Sequence, residues 1–524
     1  MVLMLLFKNK IMKLKNILIL LNTFILFSCN DGFLDKSPND MLSDVTFWTT
    51  ESDAVKYTTG VYRYLIAPVD DVMLTDSYTD NAVPVHIHDP QGDISSGSAT
   101  STNRFMRIAW EQAYQGIRRC DIFFQNIDKV TMDASLKTRL TGEVEFLRAF
   151  FYATLVQRFG GISILEHPLE LNEELPPRST TEETYAFILR ELDKAIEKLP
   201  IQYTNPEDIG RVTKGAAYSL KAILALHYKD YEIALQSSKQ VMEMGIYDLF
   251  DNYLELFRPE NKNNCEVIFD KQFMKEQYTN TIDQAYMPVM NGGWTVMSPT
   301  QDLVDAYQCI DGKDIKESPL YDPADPYKNR DPRLFNSIMW NGRIFAGKTY
   351  NTYEGPDKIG SGNATRTGYC LHKYLDPAID GNTQRSWSNF IYIRYAEILL
   401  TYAEAKIRKE GPDQSVYDAI NQVRQRPSVD MPPLTNGLST EELLKAIILE
   451  RRIEFTFEGK RLFDIRRLNL AEEVMIKPVY GQIMDGKPVY IETRKFNPNK
   501  DYLWAIPQTE IDLSNGVLKQ NPGY

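Results

Sequence analysis

A chain of 524 residues with 43% hydrophobic and 25% charged side chains has ordinary globular composition and is long enough for a large core. Its formal net charge of −12 argues against nucleic acid as a partner, because phosphate backbones demand a basic footprint. Cys120, Cys265, Cys309 and Cys370 are far apart and lack CxxC spacing, so they form neither a zinc site nor a disulfide framework by sequence.

The first 28 residues differ from the rest. Lys8, Lys10, Lys13 and Lys15 make a basic n-region, and Ile17 to Phe27 make an apolar h-region of secretory length, too short to span a bilayer. Met12 is an alternative start to Met1. The run ends Leu26-Phe27-Ser28-Cys29, and a small residue directly before a cysteine resembles a lipobox, with Cys29 as the acylated N-terminus. The other reading is an ordinary secretory signal with an incidental cysteine. Removing residues 1–28 deletes four lysines and no acid, which moves the net charge from −12 to −16. Past residue 29 no apolar run approaches the roughly 20 residues of a transmembrane helix, so any membrane attachment is expected through lipid. Residues 29–40 read as a polar tether.

A first helix follows, opened by Glu51 and Asp53, with Ala54, Tyr57, Val61 and Tyr64 on one face. Residues 67–103 lose helical periodicity and are rich in Asp, Ser, Gly and Thr; loops this long are usually functional or disordered. Helical spacing returns at Trp110, Tyr114, Ile117 and Phe124, and again through GEVEFLRAFFYATLVQRFGG, stopped by Gly160-Gly161. Ser179 or Thr180 caps a helix carrying Tyr185, Ile188, Leu192 and Ile196, closed by Pro200. Residues 210–244 give two helices, with Ala216, Ala217, Ala222 and Ala225 permitting close approach. These pairs, with a return at 391–426, resemble tetratricopeptide units. Between about 250 and 388, Tyr, Trp, Asn, Gly and Pro are dense, a short strand is expected near Glu266–Phe269, and a helical fragment at 299–312.

The stretch Glu450–Arg467 reads ERRIEFTFEGKRLFDIRR. Ser439 with Glu442 makes a capping box ahead of it, Leu444, Ile447, Ile448 and Ile453 form an apolar face, and Gly459 is the expected stop. Carboxylates and guanidiniums packed among aromatics have two readings, an anion site or an ion-pair network locking the helix to its neighbours. The network is preferred, because an unpaired buried charge costs several kcal/mol. Glu397 and Glu404 are read in the same way, as ion-pair partners.

No GxSxG, HExxH or P-loop is present. His86-Ile87-His88-Asp89 is the one ligand-like cluster, and in an Asp/Ser-rich loop it reads as solvated. Acidic pairs for glycoside hydrolysis are a three-dimensional property, and nothing singles one out. Binding makes better use of the loops, since a sugar offers apolar C–H faces to aromatics and hydroxyls to polar rims. Trp294 (in NGGWTVMSP), Tyr286, Trp340 and Trp387 are candidate platforms, and Asp76, Tyr78, Asp80, Asn81 and Arg104 candidate rim groups.

Several stretches carry a family resemblance: FWTTESDAVKYTTGVYRYL, FLRAFFYATLVQRFGGI, PTQDLVDAYQCIDG, ERRIEFTFEGKRLFDIRR, and the closing YLWAIPQTEIDLSNGVLKQNPGY. In this order they resemble the SusD/RagB family of outer-membrane nutrient-binding lipoproteins, from the lipobox to the last residue. The resemblance implies a mainly α fold, a tetratricopeptide-like helical-pair core with a loop-rich irregular lobe for ligand. The implied layout is a signal peptide at 1–28, a lipidated tether at 29–40 and one domain at 41–524. Its helical core spans about 41–66, 104–250 and 389–470, its lobe about 67–103 and 251–388, and its C-terminal segment 471–524. In sugar-binding members, contacts come from the early loop and from aromatics shortly before the 299–312-like segment. The implied function is non-catalytic binding of oligosaccharide at the cell surface and delivery to a TonB-dependent (SusC-like) outer-membrane transporter, with a lipid anchor, no cofactor and no nucleic acid. Competing functions are a glycan-degrading enzyme, a binder of peptides or glycopeptides, and a tetratricopeptide scaffold binding a peptide, which predicts that mutating loop aromatics has no effect while mutating a helical groove does.

Overall fold

The computed structural model describes residues 47–86, 90–170, 173–379 and 381–524. The expected signal peptide, lipobox and tether, and His88 and Asp89 of the histidine cluster, lie outside the described residues.

The helices form where apolar spacing and capping residues coincide. Helix α1 (Glu51–Tyr62) is opened by a capping box between Thr50 and Asp53. Asn103 caps α2 (Arg104–Asn126), and Asp133 caps α3 (Ala134–Phe159), which ends where Gly160 turns to φ +73°. A Thr180–Glu183 capping box opens α4 (Thr181–Lys198). Helices α5 (Lys214–His227) and α6 (Tyr231–Glu243) follow as a tight pair, then α7 (Tyr395–Glu410), α8 (Gln414–Arg424), α9 (Thr440–Glu454) and α10 (Arg461–Arg467). Successive helices pack on one another: α2 on α3, α3 on α4, α5 on α6, α6 on α7, and α7 on both α8 and α9. This stacking of helical hairpins is the tetratricopeptide-like core expected from the sequence.

The strands are short and hold segments distant in sequence: β1 (Ala82–Pro84) pairs antiparallel with β3 (Met297–Pro299), and β2 (Val267–Lys271) with β4 (Phe390–Arg394). A hairpin of β5 (Pro478–Met484) and β6 (Lys487–Thr493) near the C-terminus was not legible as such. The fragment expected at 299–312 is helical only over Gln301–Ala306, capped by Thr300.

The ERRIEFTFEGKRLFDIRR stretch forms the expected network. Glu454 accepts from Arg394 Nη1 at 2.7 Å, Arg426 Nη2 at 2.9 Å and Arg333 Nη1 at 2.9 Å. Glu458 accepts from Arg394 and Lys373, Glu450 from Arg424 and Arg333, and Glu266 at the edge of β2 from both Arg394 and Arg426. All of these side chains are buried. Arg333, Arg394 and Arg426 each have several carboxylate oxygens in reach, and Arg424 has Glu450 together with the Pro432 carbonyl, which is how charge is tolerated in a low-dielectric interior. Burial pushes Glu458 up, but Arg394 and Lys373 overcome it and hold Glu458 below its ordinary value. Farther along, Asp464 pairs with Arg451 and Arg467, Arg467 forks onto Glu404, and Lys460 reaches Glu397 at 2.7 Å.

One sequence expectation is corrected here. The helix does not run to Gly459; α9 stops at Glu454, and Phe457 (φ 63°) and Gly459 (φ +72°) make a left-handed turn. The turn carries Glu458 back into the network. At Gly459 a Cβ would stand 2.5 Å from the Val72 carbonyl oxygen, so only glycine fits against the early loop.

Candidate functional site

The described residues of 67–103 lie mostly inside the molecule, as turns at Pro68–Val72 and Met73–Tyr78, strand β1 and the short helix Gln91–Ser95. This corrects the rim assignment. Asp76 is fully buried; its Oδ1 accepts from Asn81 Nδ2 at 2.8 Å and its Oδ2 from the Gly459 N–H at 3.0 Å. Burial pushes its pKa up to about 6 despite those donors. Asp80 is gripped by Arg461 through Nε at 2.9 Å and Nη2 at 2.8 Å, with Arg452 at 3.2 Å. Burial works to raise its pKa, but Arg452 and Arg461 overcome that and hold it well below the carboxylate range. Asn81 accepts from Arg452 Nε at 2.9 Å, and Tyr78 packs edge-on against Trp504 with centroids 6.2 Å apart. Asp76, Asp80 and Asn81 spend their polarity inside the protein, fastening the early loop to the 450–467 stretch. Tyr286 is likewise corrected, being fully buried with its hydroxyl donating to the Val69 carbonyl at 2.9 Å.

The fastened loop delivers its far end to the surface. The register Ala82↔Pro299, Val83↔Ser298, Pro84↔Met297 continues into a Val85 N–H donating to Val296 O at 2.9 Å, two residues from Trp294. The two segments singled out in the sequence, early loop and pre-299 aromatics, thus meet at one edge. Trp294 is 46% exposed there. Its backbone is pinned by an N–H donated to Gln284 O at 2.8 Å, and Gly293 packs so closely on Met287 that a Cβ would lie 2.0 Å from its carbonyl oxygen. The Gly292-Gly293 pair therefore forces a sharp, fixed presentation of the indole.

Trp340 is half-buried and stacks on Tyr327, centroids 4.3 Å apart and planes at 15°. Arg343 lies over Phe335 at 3.5 Å and over Trp340 at 4.8 Å, and Phe335 and Tyr353 are exposed. Lys348 links this patch to the Trp294 loop by donating to Met290 O at 3.0 Å. Tyr327, Phe335 and Tyr353 were missed; Tyr327 and Tyr353 are aromatics in Pro-, Asp- or Gly-rich loops, the signal that marked Trp294, whereas Phe335 lies on the short helix Pro332–Ser337. Trp387 is half-buried beneath Lys262, 4.2 Å from its ring. Arg104 is exposed at the head of α2 over Phe105 at 5.8 Å, and among the described residues no contact joins it to Trp294. Among the described residues there is no group of three or more metal-ligating side chains, and no helix long and apolar enough to cross a membrane.

A stacked-hairpin helical core bearing an irregular, loop-rich lobe, with an exposed tryptophan close to where two distant loops pair, defines the class of protein by its fold. The chain belongs to the SusD family: residues 265–524 match the model of that family, and residues 32–226 match a second model described as starch-binding associating with outer membrane. A SusD-like protein of Bacteroides fragilis is 33% identical, with 93% of this chain and 100% of that chain aligned and a TM-score of 0.83. A SusD-like carbohydrate binding protein of the same species is 29% identical over 90% of this chain and 99% of its own, with a TM-score of 0.84. SusD-like protein P2 of Formosa agariphila is 26% identical, covering 95% of this chain and 97% of its own. The fold is shared with surface glycan-binding protein A of Bacteroides thetaiotaomicron, solved with laminarihexaose, at 22% identity and a TM-score of 0.71, with 90% of this chain and 99% of that one aligned.

Proposed function

We propose that the chain binds oligosaccharide on the cell surface, without chemistry, and passes it to a TonB-dependent outer-membrane transporter while held to the membrane by lipid on Cys29. The observation that carries the reading is Trp294: a rigidly presented, exposed indole beside the end of the early loop. Flat aromatics of this kind bind the C–H faces of sugar rings, and polar loops bind the hydroxyls around them. The Tyr327–Trp340 stack, with exposed Phe335 and Tyr353, adds a further aromatic group to the same lobe. The outer-membrane wording of the matched family model and the carbohydrate binding named for the Bacteroides fragilis relative support the same reading. The buried carboxylates are engaged in ion pairs or hydrogen bonds, which favours binding over hydrolysis.

Titration calorimetry against neutral oligosaccharides tests it, with Trp294→Ala and Trp340→Ala beside the wild type. Loss of about tenfold or more in affinity for Trp294→Ala is expected, in line with an aromatic anchor at a binding surface. Unchanged affinity in both variants would move the ligand elsewhere. For the anchor, Cys29→Ala should release the protein from the membrane fraction; persistence there would contradict lipidation at Cys29.

A further inference from the structure

A cavity of about 720 Å3 shares no lining residue with the Trp294 surface. It lies between the end of α1, the 207–211 loop and the segment leaving β2. Met274 and Tyr278 close a tight turn there, each backbone N–H donating to the other's carbonyl at 2.8 and 3.0 Å. The turn props the Tyr278 ring flat on Phe273, centroids 5.2 Å apart and planes at 19°. Tyr278 stays 39% exposed and Met274 54% exposed. A half-open aromatic backed by a second ring is a stiff platform whose outer face has no partner among the described aromatics.

The charges around it are unevenly matched. Lys271 is buried in the wall, and its ammonium donates to the carbonyls of Leu65 at 2.7 Å and Arg63 at 3.4 Å. Among the described residues no carboxylate pairs with it. Burial and the nearby Arg63 bring its pKa down to about 8, so it is still mostly charged at neutral pH. Arg63 is exposed and, among the described residues, makes no ion pair. Arg211 is already committed to Glu143 and Asp208. Of the two lining carboxylates, Asp270 has its oxygens occupied by the Gln272 and Asn389 amides, and Glu207 sits exposed on the rim. A buried ammonium satisfied only by carbonyls lacks the counter-charge that normally offsets its desolvation.

We propose that this cavity is a second saccharide subsite for an acidic pyranoside, with the sugar ring on Tyr278 and its anionic group directed to Lys271 and Arg63. The inference rests on the reading of the protein as a saccharide binder, but on different residues. A carboxylate (uronate) and a sulfate ester present the same chemistry to two cations, and separate ligands tell them apart.

The test is affinity electrophoresis of the full chain through gels containing polygalacturonate, a sulfated galactan, or a neutral β-glucan, with Tyr278→Ala, Arg63→Gln and Trp294→Ala variants. Thermal melts confirm that the variants, all at exposed positions, stay folded. The expected result is retardation by at least one acidic polymer, weakened about tenfold in both Tyr278→Ala and Arg63→Gln, preserved in Trp294→Ala, and reduced by added salt. Which acidic polymer retards the protein identifies the anionic group. No retardation by either acidic polymer, or unchanged retardation in either Tyr278→Ala or Arg63→Gln, overturns the subsite. Failure of the main reading shows separately, as neutral-glucan binding that is absent or indifferent to Trp294→Ala.

Discussion

Glu454 and Arg394, 60 positions apart and both buried, are joined by a 2.7 Å charge-assisted hydrogen bond at the centre of the molecule. Arg394 ends β4 and leads into α7, and Glu454 ends α9, so the pair welds the helical stack to the strand that borders the lobe. Arg333 and Lys373 bring the loop-rich region to the same cluster. Glu454→Gln keeps the shape but leaves Arg333, Arg394 and Arg426 short of one negative charge. It should lower unfolding free energy by about 3 kcal/mol, measured by denaturant melts, since removing one partner of a buried pair is costly. A change within 0.5 kcal/mol would show that the network is not what holds the two regions together.

Gly459 makes a second such joint, its N–H donating to Asp76 and its Cα against Val72. Gly459→Ala forces a side chain into the left-handed region and onto a carbonyl oxygen. A loss on the order of 2 kcal/mol is expected, with faster hydrogen exchange in residues 72–81. Equal protection in wild type and variant would separate the early loop from this turn.

Stability should also respond to pH through Asp283. It is fully buried, and burial pushes its pKa to about 7 from an ordinary 3.8, while the Asp376 N–H donated to it pulls the other way. The folded state therefore binds the proton more tightly than the unfolded chain. Asp283 contributes stability that is complete below pH 3.8 and lost as pH rises through about 7. His227 has the opposite slope. Burial, reinforced by Arg467 and Arg466, lowers it to about 3, so its contribution is complete above 6.5 and lost as pH falls. Asp283→Asn should flatten only the high-pH side, removing roughly 2 kcal/mol of the difference between pH 5 and pH 8. Urea melts at the two values check it, and an unchanged difference would contradict a raised Asp283.

Tyr286→Phe separates structural from ligand-facing tyrosines. Losing the hydroxyl's hydrogen bond to Val69 should cost about 1 kcal/mol and leave saccharide affinity within twofold. A tenfold loss of affinity without loss of stability would return Tyr286 to the ligand surface.

Much of the fold was legible because its signals are local. Capping residues Thr180 and Ser439, the acidic opening at Glu51 and Asp53, apolar spacing and the stop at Gly160 lie within a few positions of the helices they define. The ion-pair role of 450–467 was legible from charge density among aromatics, although its partners Glu266, Arg333 and Lys373 were not, because they arrive from other segments. The early loop misled for the same reason. Asp76, Asp80 and Asn81 have the composition of a solvated rim, and their burial depends on Gly459, Arg461 and Arg452 more than 350 positions away. Trp294 was picked out as a loop aromatic following two glycines, and the structure leaves it 46% exposed. Tyr278 was not, because its exposure depends on how Phe273 lies beneath it.

The measurement that bears most directly on the account is a glycan array probed with wild type and Trp294→Ala, followed by mass analysis of the bound ligand. The account predicts a restricted set of bound glycans, recovered at their original length, with the signal lost in the variant. Shortened glycans, a wild type that binds none, or a variant that binds as well as wild type would contradict it.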